Sequence, residues 1–377
     1  MKVKGAVFAV LAAFFASATG LSWAVVDTRA IDAVRDKTVL ENKDLFIIDN
    51  FLSEAVREIS KTRDFASIAK VRMDIISRRS PQPQYSQQFS ESAQKYIFAA
   101  FEAALQLPEE RRTKLMVNLL ILVDGLEDLR LADLAIAKLK DNNTIIRYWA
   151  VHCITNEGIA KQLNTGGSAN VKIARLFLER LKEVVDSSSP EIIGLIAKFA
   201  GDINIPQGEE MLVQIADMRM KKYASWTVEY ELLDGVILKL LDSKIASGSG
   251  SKSSDKSAAA AVRFGQLYSF AIQRYVKGRG TLTDTQKRQL ASVLVEAEDK
   301  CVGRILGAPQ SIIKKAVERD DYAAIVVEHN RLLGDAKQAG ELSSKLNFDY
   351  GTASGGGKRT APLPLPAPPP RKTEPIK

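Results

Sequence analysis

Two histidines and two cysteines are the side chains here best suited to metal binding or nucleophilic catalysis. A zinc site or a catalytic triad needs several such groups converging, and neither His152 nor His329 has an HExxH, a CxxC or a His/Cys cluster near it. His152 falls beside an apolar stripe and reads as a partly buried structural residue. His329, in Val-Glu-His-Asn-Arg, reads as part of a solvated helix face. Cys153 continues the stripe Ile146, Trp149, Ala150, and Cys301 continues Leu290, Val293, Leu294, Ala297, so both read as small buried hydrophobes rather than as a disulfide pair. The carboxylate pairs Glu109-Glu110, Glu209-Glu210 and Asp320-Asp321 fall at helix starts, where negative charge meets the positive end of the helix dipole. Gly355-Gly-Gly-Lys358-Arg359-Thr360 lacks the spacing of a phosphate loop, and Gly278-Arg279-Gly280 reads as a turn. Asn142-Asn143-Thr144 fits a glycosylation sequon. No catalytic residue, no cofactor-binding residue and no metal ligand is assigned, and no cofactor is expected.

The beginning of the chain is more specific. Lys2 and Lys4 precede an apolar run from Gly5 to Ala18, and Ser22-Trp23-Ala24 supplies the small residues of a cleavage site. This resembles a secretory signal peptide over 1–24, cleaved after Ala24, so the mature chain is expected to begin at Val25 in the periplasm or outside the cell; retention as an anchor is the other reading. No later segment is long and apolar enough to span a membrane, so no transmembrane helix is expected after cleavage. Of the formal charge of +8, residues 1–24 carry +2 and residues 351–377 carry +4, which leaves +2 for the body. Phosphate neutralisation supplies most of a duplex binder's affinity, so a body this close to neutral argues against nucleic acid as the partner.

The elements that position these residues are helices. Between about 44 and 345 apolar residues recur with a period near 3.6; Val171, Ala174, Leu178, Leu181 and Val185, for instance, share a face opposite Lys172, Arg175, Glu179 and Lys182. Pro81, Pro83, Pro108, Pro190, Pro206 and Pro309 fall at apparent helix ends. An all-α fold follows. Residues 246–257, rich in Ser, Gly and Lys, are expected to be a flexible linker between a body ending at 245 and a C-terminal helical region over 258–345. Residues 346–377, Gly- and Pro-rich and basic, are expected to be a disordered tail with polyproline II character from Pro362 to Pro370, and removal of 351–377 is expected to leave folding intact, altering the melting temperature by no more than about a few degrees.

Asp141-Asn-Asn-Thr-Ile-Ile-Arg147-Tyr-Trp-Ala150-Val-His-Cys-Ile154 resembles a HEAT or armadillo-type helical repeat, and Ser187-Ser-Ser-Pro190-Glu-Ile-Ile-Gly-Leu-Ile-Ala-Lys-Phe-Ala200 repeats its apolar pattern about 46 residues on. The resemblance covers about 109–245, with an N-terminal helical region over 25–108 before it. It implies an α-solenoid of antiparallel helical pairs, with Asp141 and Arg147 bridging neighbouring units; an irregular helical bundle is the alternative. A third unit is sought near Trp226, Tyr230 and Leu233. Solenoids expose long ridges, so the expected function is that of an exported, non-enzymatic scaffold or adaptor binding a protein or an envelope polymer, the latter through the basic tail. Pro366-Ala-Pro-Pro369-Pro-Arg371 also matches PxxPxR, though an exported tail would not meet cytosolic SH3 domains. The alternative is an enzyme or small-ligand-binding protein whose polar residues converge in a helical cleft.

Overall fold

The computed structural model describes residues 27–248, 254–353 and 356–369. The expected signal segment, with Ala24, and the end of the chain from Pro370 lie outside the described residues. The chain divides into two units between Ala135 and Ile136.

In the first unit α1 (Arg29–Val34) leads into two hairpins, α2 (Asn42–Lys61) with α3 (Phe65–Ile76) and α4 (Pro83–Ala104) with α5 (Glu109–Leu126). Helix α2 packs on α4 and α3 on α5, so each hairpin lays one helix in each of two layers. The starts follow local chemistry. Asp64 accepts from Ser67 N at 2.7 Å to open α3, Pro83 occupies the first turn of α4, and Glu109 and Glu110 lie in the first turn of α5. Residues 127–140, which carry a helical stripe, hold only a 3₁₀ turn (Leu129–Leu131) and α6 (Ala132–Ile136).

The second unit contains α7 (Thr144–Thr155), α8 (Glu157–Thr165), α9 (Ser168–Val185), α10 (Pro190–Asp202), α11 (Pro206–Ala224), α12 (Leu232–Gly248), α13 (Ser254–Lys277) and α14 (Asp284–Ala297). A π-helical turn (Glu298–Val302) follows, then α15 (Gly303–Leu306), α16 (Ile312–Glu318), α17 (Tyr322–Leu333) and α18 (Glu341–Leu346). Helices α7, α10, α12 and α14 contact one another in succession as one layer; α9, α11, α13 and α17 form the second. Successive hairpins stacked in two layers are the packing of a HEAT-like helical repeat, so the fold is all-α and solenoid-like. Among the described residues every regular element is helical, apart from the isolated bridges Gly334–Ala339 and Thr352–Lys358. No helix among them is long and apolar enough to cross a membrane.

The repeat seen in sequence is the repeat that packs. Ile146, Ala150, Cys153 and Ile154 of α7 are buried, and so are Ile192, Ile196, Phe199 and Ala200 of α10, the next helix of that layer. The third copy lies later than the sequence places it. Ile237, Leu238, Leu241 and Ile245 of α12 are all buried, 45 residues beyond Ile192, Ile193, Ile196 and Ala200. The stretch Trp226–Glu231 is a loop instead, because Trp226 and Tyr230 take positive φ of 59° and 60°, which no right-handed helix accommodates.

Within the expected linker 246–257, α12 continues to Gly248 and α13 begins at Ser254, and the residues between them lie outside the described residues. After α18 the described residues between Asn347 and Pro369 form no helix or strand, in keeping with their composition, and among them Tyr350, Pro362 and Leu365 are buried against the body.

Candidate functional site

The site begins with two arginines on apolar helix faces. Arg219 of α11 is 1% exposed and pairs with the equally buried Asp234 of α12, Nε to Oδ1 at 2.7 Å and Nη2 to Oδ2 at 2.9 Å, while Tyr223 donates its hydroxyl to Oδ2 at 2.7 Å. The low dielectric makes this fully bonded arrangement strong; it also makes either ion costly if left alone. Arg219 donates further, through Nη1, to Glu229 O at 3.0 Å. Arg274 of α13, 2% exposed, donates through Nη2 to Val228 O at 3.3 Å and to Glu231 at 3.1 Å. Two buried cations thus clamp the carbonyls of the α11–α12 loop, which is what holds Trp226 and Tyr230 in a left-handed backbone costing about 1–2 kcal/mol each. Trp226 lies over the Arg274 guanidinium, 5.3 Å from the ring centroid, with Tyr223 at 5.8 Å.

That loop and α13 together hold the C-terminal segment. Gly265 lets the chain approach: a Cβ there would stand 2.9 Å from the Tyr350 hydroxyl and 3.2 Å from Phe348. Residues 350–359 then form a turn closed by Tyr350 N to Arg359 O (3.0 Å) and Arg359 N to Gly351 O (2.7 Å), and Thr360 Oγ1 donates to Asp335 O at 2.9 Å. From Pro362 the strap runs along α13. Leu363 N donates to Gln266 Oε1 at 2.7 Å, and Gln266 Nε2 returns a bond to Leu363 O at 3.2 Å. Leu365 N donates to Gln273 Oε1 at 2.7 Å, and Gln273 Nε2 donates to Leu363 O at 3.1 Å. Lys277 Nζ donates to Leu365 O, and Trp226 Nε1 to Pro366 O at 3.1 Å. Gln266, Gln273 and Lys277 stand seven and four residues apart, one stripe of a 3.6-residue helix. Pro362 and Leu365 are buried and the residues between them exposed, the period-three face of a polyproline II helix.

A half-buried histidine supports this stripe from beneath. His329 Nε2 lies 2.8 Å from Ser269 Oγ, which accepts from Gln273 Nε2 at 2.8 Å, and His329 Nδ1 lies 3.0 Å from Asn330 Oδ1. Burial lowers the His329 pKa below its ordinary 6.5, with the Lys277 charge acting the same way. The solvated face expected for His329 is therefore corrected: its ring closes a hydrogen-bonded chain leading to the strap.

The other residues singled out in sequence are structural. Arg147 Nη1 donates to the backbone carbonyls of Asp141 (2.8 Å) and Asn142 (3.2 Å), and the Asp141 carboxylate accepts from Asn143 N at 2.8 Å. The pair closes its own turn. Cys153 and Cys301 are buried reduced thiols, and burial pushes Cys301 up to about 12. His152 packs on Trp149, with ring centroids 5.2 Å apart. Asp321 caps α17 by accepting from Ala324 N at 3.0 Å. Of the tail cations, Lys358 pairs with Asp349 at 3.3 Å and Arg359 with Tyr350 O, while Arg371, Lys372 and Lys377 lie outside the described residues. Sequence reading missed Gln266, Gln273, Lys277, Trp226 and the buried arginines. The signal was there in two halves, a glutamine stripe on α13 and the alternation Pro362-Leu-Pro-Leu-Pro366, which nothing in sequence joins.

No family model matches this sequence, and no curated protein matches it. Among solved structures it is similar to Kap121p bound to Nup53p, at 11% identity over 80% of this chain and 33% of that one, with a TM-score of 0.36. Kap121p bound to Pho4p gives 12% identity at the same coverage and TM-score, and an engineered protein gives 11% identity over 84% of this chain and 97% of its own, with a TM-score of 0.19. The chain spans about a third of the length of the Kap121p chain it matches. Its fold is read from its own helix packing.

Proposed function

We propose that this protein is an exported, non-enzymatic helical-repeat scaffold that binds an extended segment of another protein. The observation that carries this reading is the α13 face, where Gln266, Gln273, Lys277 and Trp226 bind the main chain of an extended peptide. Such contacts bind a chain by its backbone and leave the pockets for Pro362 and Leu365 to set preference. Export is supported by Lys2, Lys4, the apolar run and Ser22-Trp23-Ala24. An envelope polymer gains less support, because two of the five tail cations are committed within the chain. The enzyme alternative gains little from the cleft of about 380 Å³ lined by Ile59, Phe65, Ile68, Arg111, Lys114 and Leu115, whose Arg111 bonds the carbonyls of Ser60 and Lys61 and whose Lys114 pairs with Glu110.

A photo-crosslinking residue in place of Tyr230, 51% exposed in the same loop as the Trp226 that holds Pro366, tests the reading in the native host. Polypeptide adducts in the exported fraction, recovered repeatedly with the same partner, are expected. Adducts confined to glycan, or none beyond those of a crosslinker placed on the opposite layer, would overturn it.

A further inference from the structure

We propose that the α13 face is a reader of polyproline II segments, that residues 362–366 occupy it in cis, and that a proline–leucine segment of a partner protein takes their place. This rests on the protein-binding reading above and names its ligand.

Proline has no N–H, so the segment from Pro362 to Pro366 offers only two backbone donors, Leu363 N and Leu365 N. Both are accepted by glutamine side chains, 2.7 Å each. The carbonyls of Leu363, Leu365 and Pro366 are all bound as well, by Gln266 and Gln273, by Lys277 and by Trp226. Pro364 between them brings no N–H and stays exposed, so every donor of the segment is answered. The face thus matches an alternating Pro-Leu-Pro-Leu-Pro backbone, and the ligand's stiffness limits the entropy lost on docking.

The occupant can leave without unravelling the fold. Its upstream anchor is separate: Phe348 and Tyr350 against Gly265, the 350–359 turn, and Thr360 on Asp335. The strap itself commits two buried side chains, Pro362 and Leu365, while Leu363 is 44% exposed. Tethering gives it a high effective concentration, so a free segment of equal intrinsic affinity competes poorly until the strap is weakened.

The test titrates a fluorescent peptide, Ala-Pro-Leu-Pro-Leu-Pro-Ala-Pro, into the full chain, into a Leu365→Asp chain, and into that chain carrying Gln266→Ala and Gln273→Ala, with thermal melts of each. Opening the strap is expected to tighten peptide binding by at least about tenfold. The glutamine substitutions should abolish that gain, as should replacing the peptide's prolines by alanine. If Leu365→Asp does not melt cooperatively, Leu365→Ala takes its place. A cooperatively folded open chain that leaves the peptide unbound, or binds it regardless of the glutamines, would overturn the proposal while leaving any Tyr230-site partner, and so the broader scaffold reading, intact. A wild-type dimer lost on Leu365→Asp would assign the face to a second copy's strap and overturn it too.

Discussion

At the scale of single residues, the chemistry lies in groups that composition makes look ordinary. Arg219 occupies a core position of α11, in step with Ile215 and Tyr223, and its charge is tolerable because Asp234 binds the Nε–Nη2 edge of the guanidinium and Glu229 O accepts from Nη1. Arg219→Met is therefore expected to cost about 3–5 kcal/mol, since it leaves a buried carboxylate without its cation, and urea melts of the variant check it. Replacing Arg219 and Asp234 together by Met and Leu should cost markedly less than the single change. His329 makes a second prediction. Its folded pKa lies below 6.5, so as pH falls through 6.5 the unfolded chain takes up a proton that the folded chain refuses. Stability should then fall on acidification, by up to about 1.4 kcal/mol per pH unit, and level off below the folded pKa. His329→Gln removes a titrating group while keeping a partner for Ser269, and should flatten this limb in melts recorded between pH 7 and 5. An unchanged slope would place the titration elsewhere. Neither group was legible as functional beforehand. A lone histidine in Val-Glu-His-Asn-Arg carries no mark of burial, and an arginine on an apolar stripe gives no hint of which distant carboxylate it meets.

Elements were more legible than sites, because helix periodicity and proline placement are local. Pro83, Pro190 and Pro206 open α4, α10 and α11 in their first turns, as their missing N–H groups dictate. Where tertiary contacts decide, the reading slipped. The stripe from Leu290 to Cys301 is interrupted at Glu298–Val302 by a π turn, and the buried Glu298 there accepts from Ile313 N and Lys314 N at 2.7 and 2.8 Å to start α16. The tail carries no apolar period of its own, yet Pro362 and Leu365 find a surface prepared on α13. Removing 351–377 was expected to alter the melting temperature by no more than about a few degrees; the packed strap places the effect at or above that bound. Fully burying one leucine contributes about 1.5–3 kcal/mol, so the deletion should lower the melting temperature by several degrees. Gly265→Ala acts at the other anchor, where its Cβ would press on Tyr350 and Phe348, and a smaller loss in the same direction is expected by differential scanning calorimetry. Full stability in both variants would show the strap to be energetically idle.

Across the whole molecule, stacked hairpins make stability a matter of neighbours. In such an array each hairpin's core is completed by the next, so a cavity in a middle helix is felt along the stack that contains it. Phe199 is fully buried in α10, which packs on α7, α11 and α12. Phe199→Ala is expected to cost about 3–5 kcal/mol. Its reach is the more informative quantity. The chain divides at Ala135, with α2–α5 completing their own two layers on one side and α7–α14 on the other. Native-state hydrogen exchange should therefore show α7 and α10–α13 losing protection together in the variant, while the amides of α2–α5 keep theirs. Ile48→Ala in α2, another fully buried position, should give the mirror result. If protection falls in step across both units whichever site is changed, the chain unfolds as one cooperative body and the nearest-neighbour account of its stability fails.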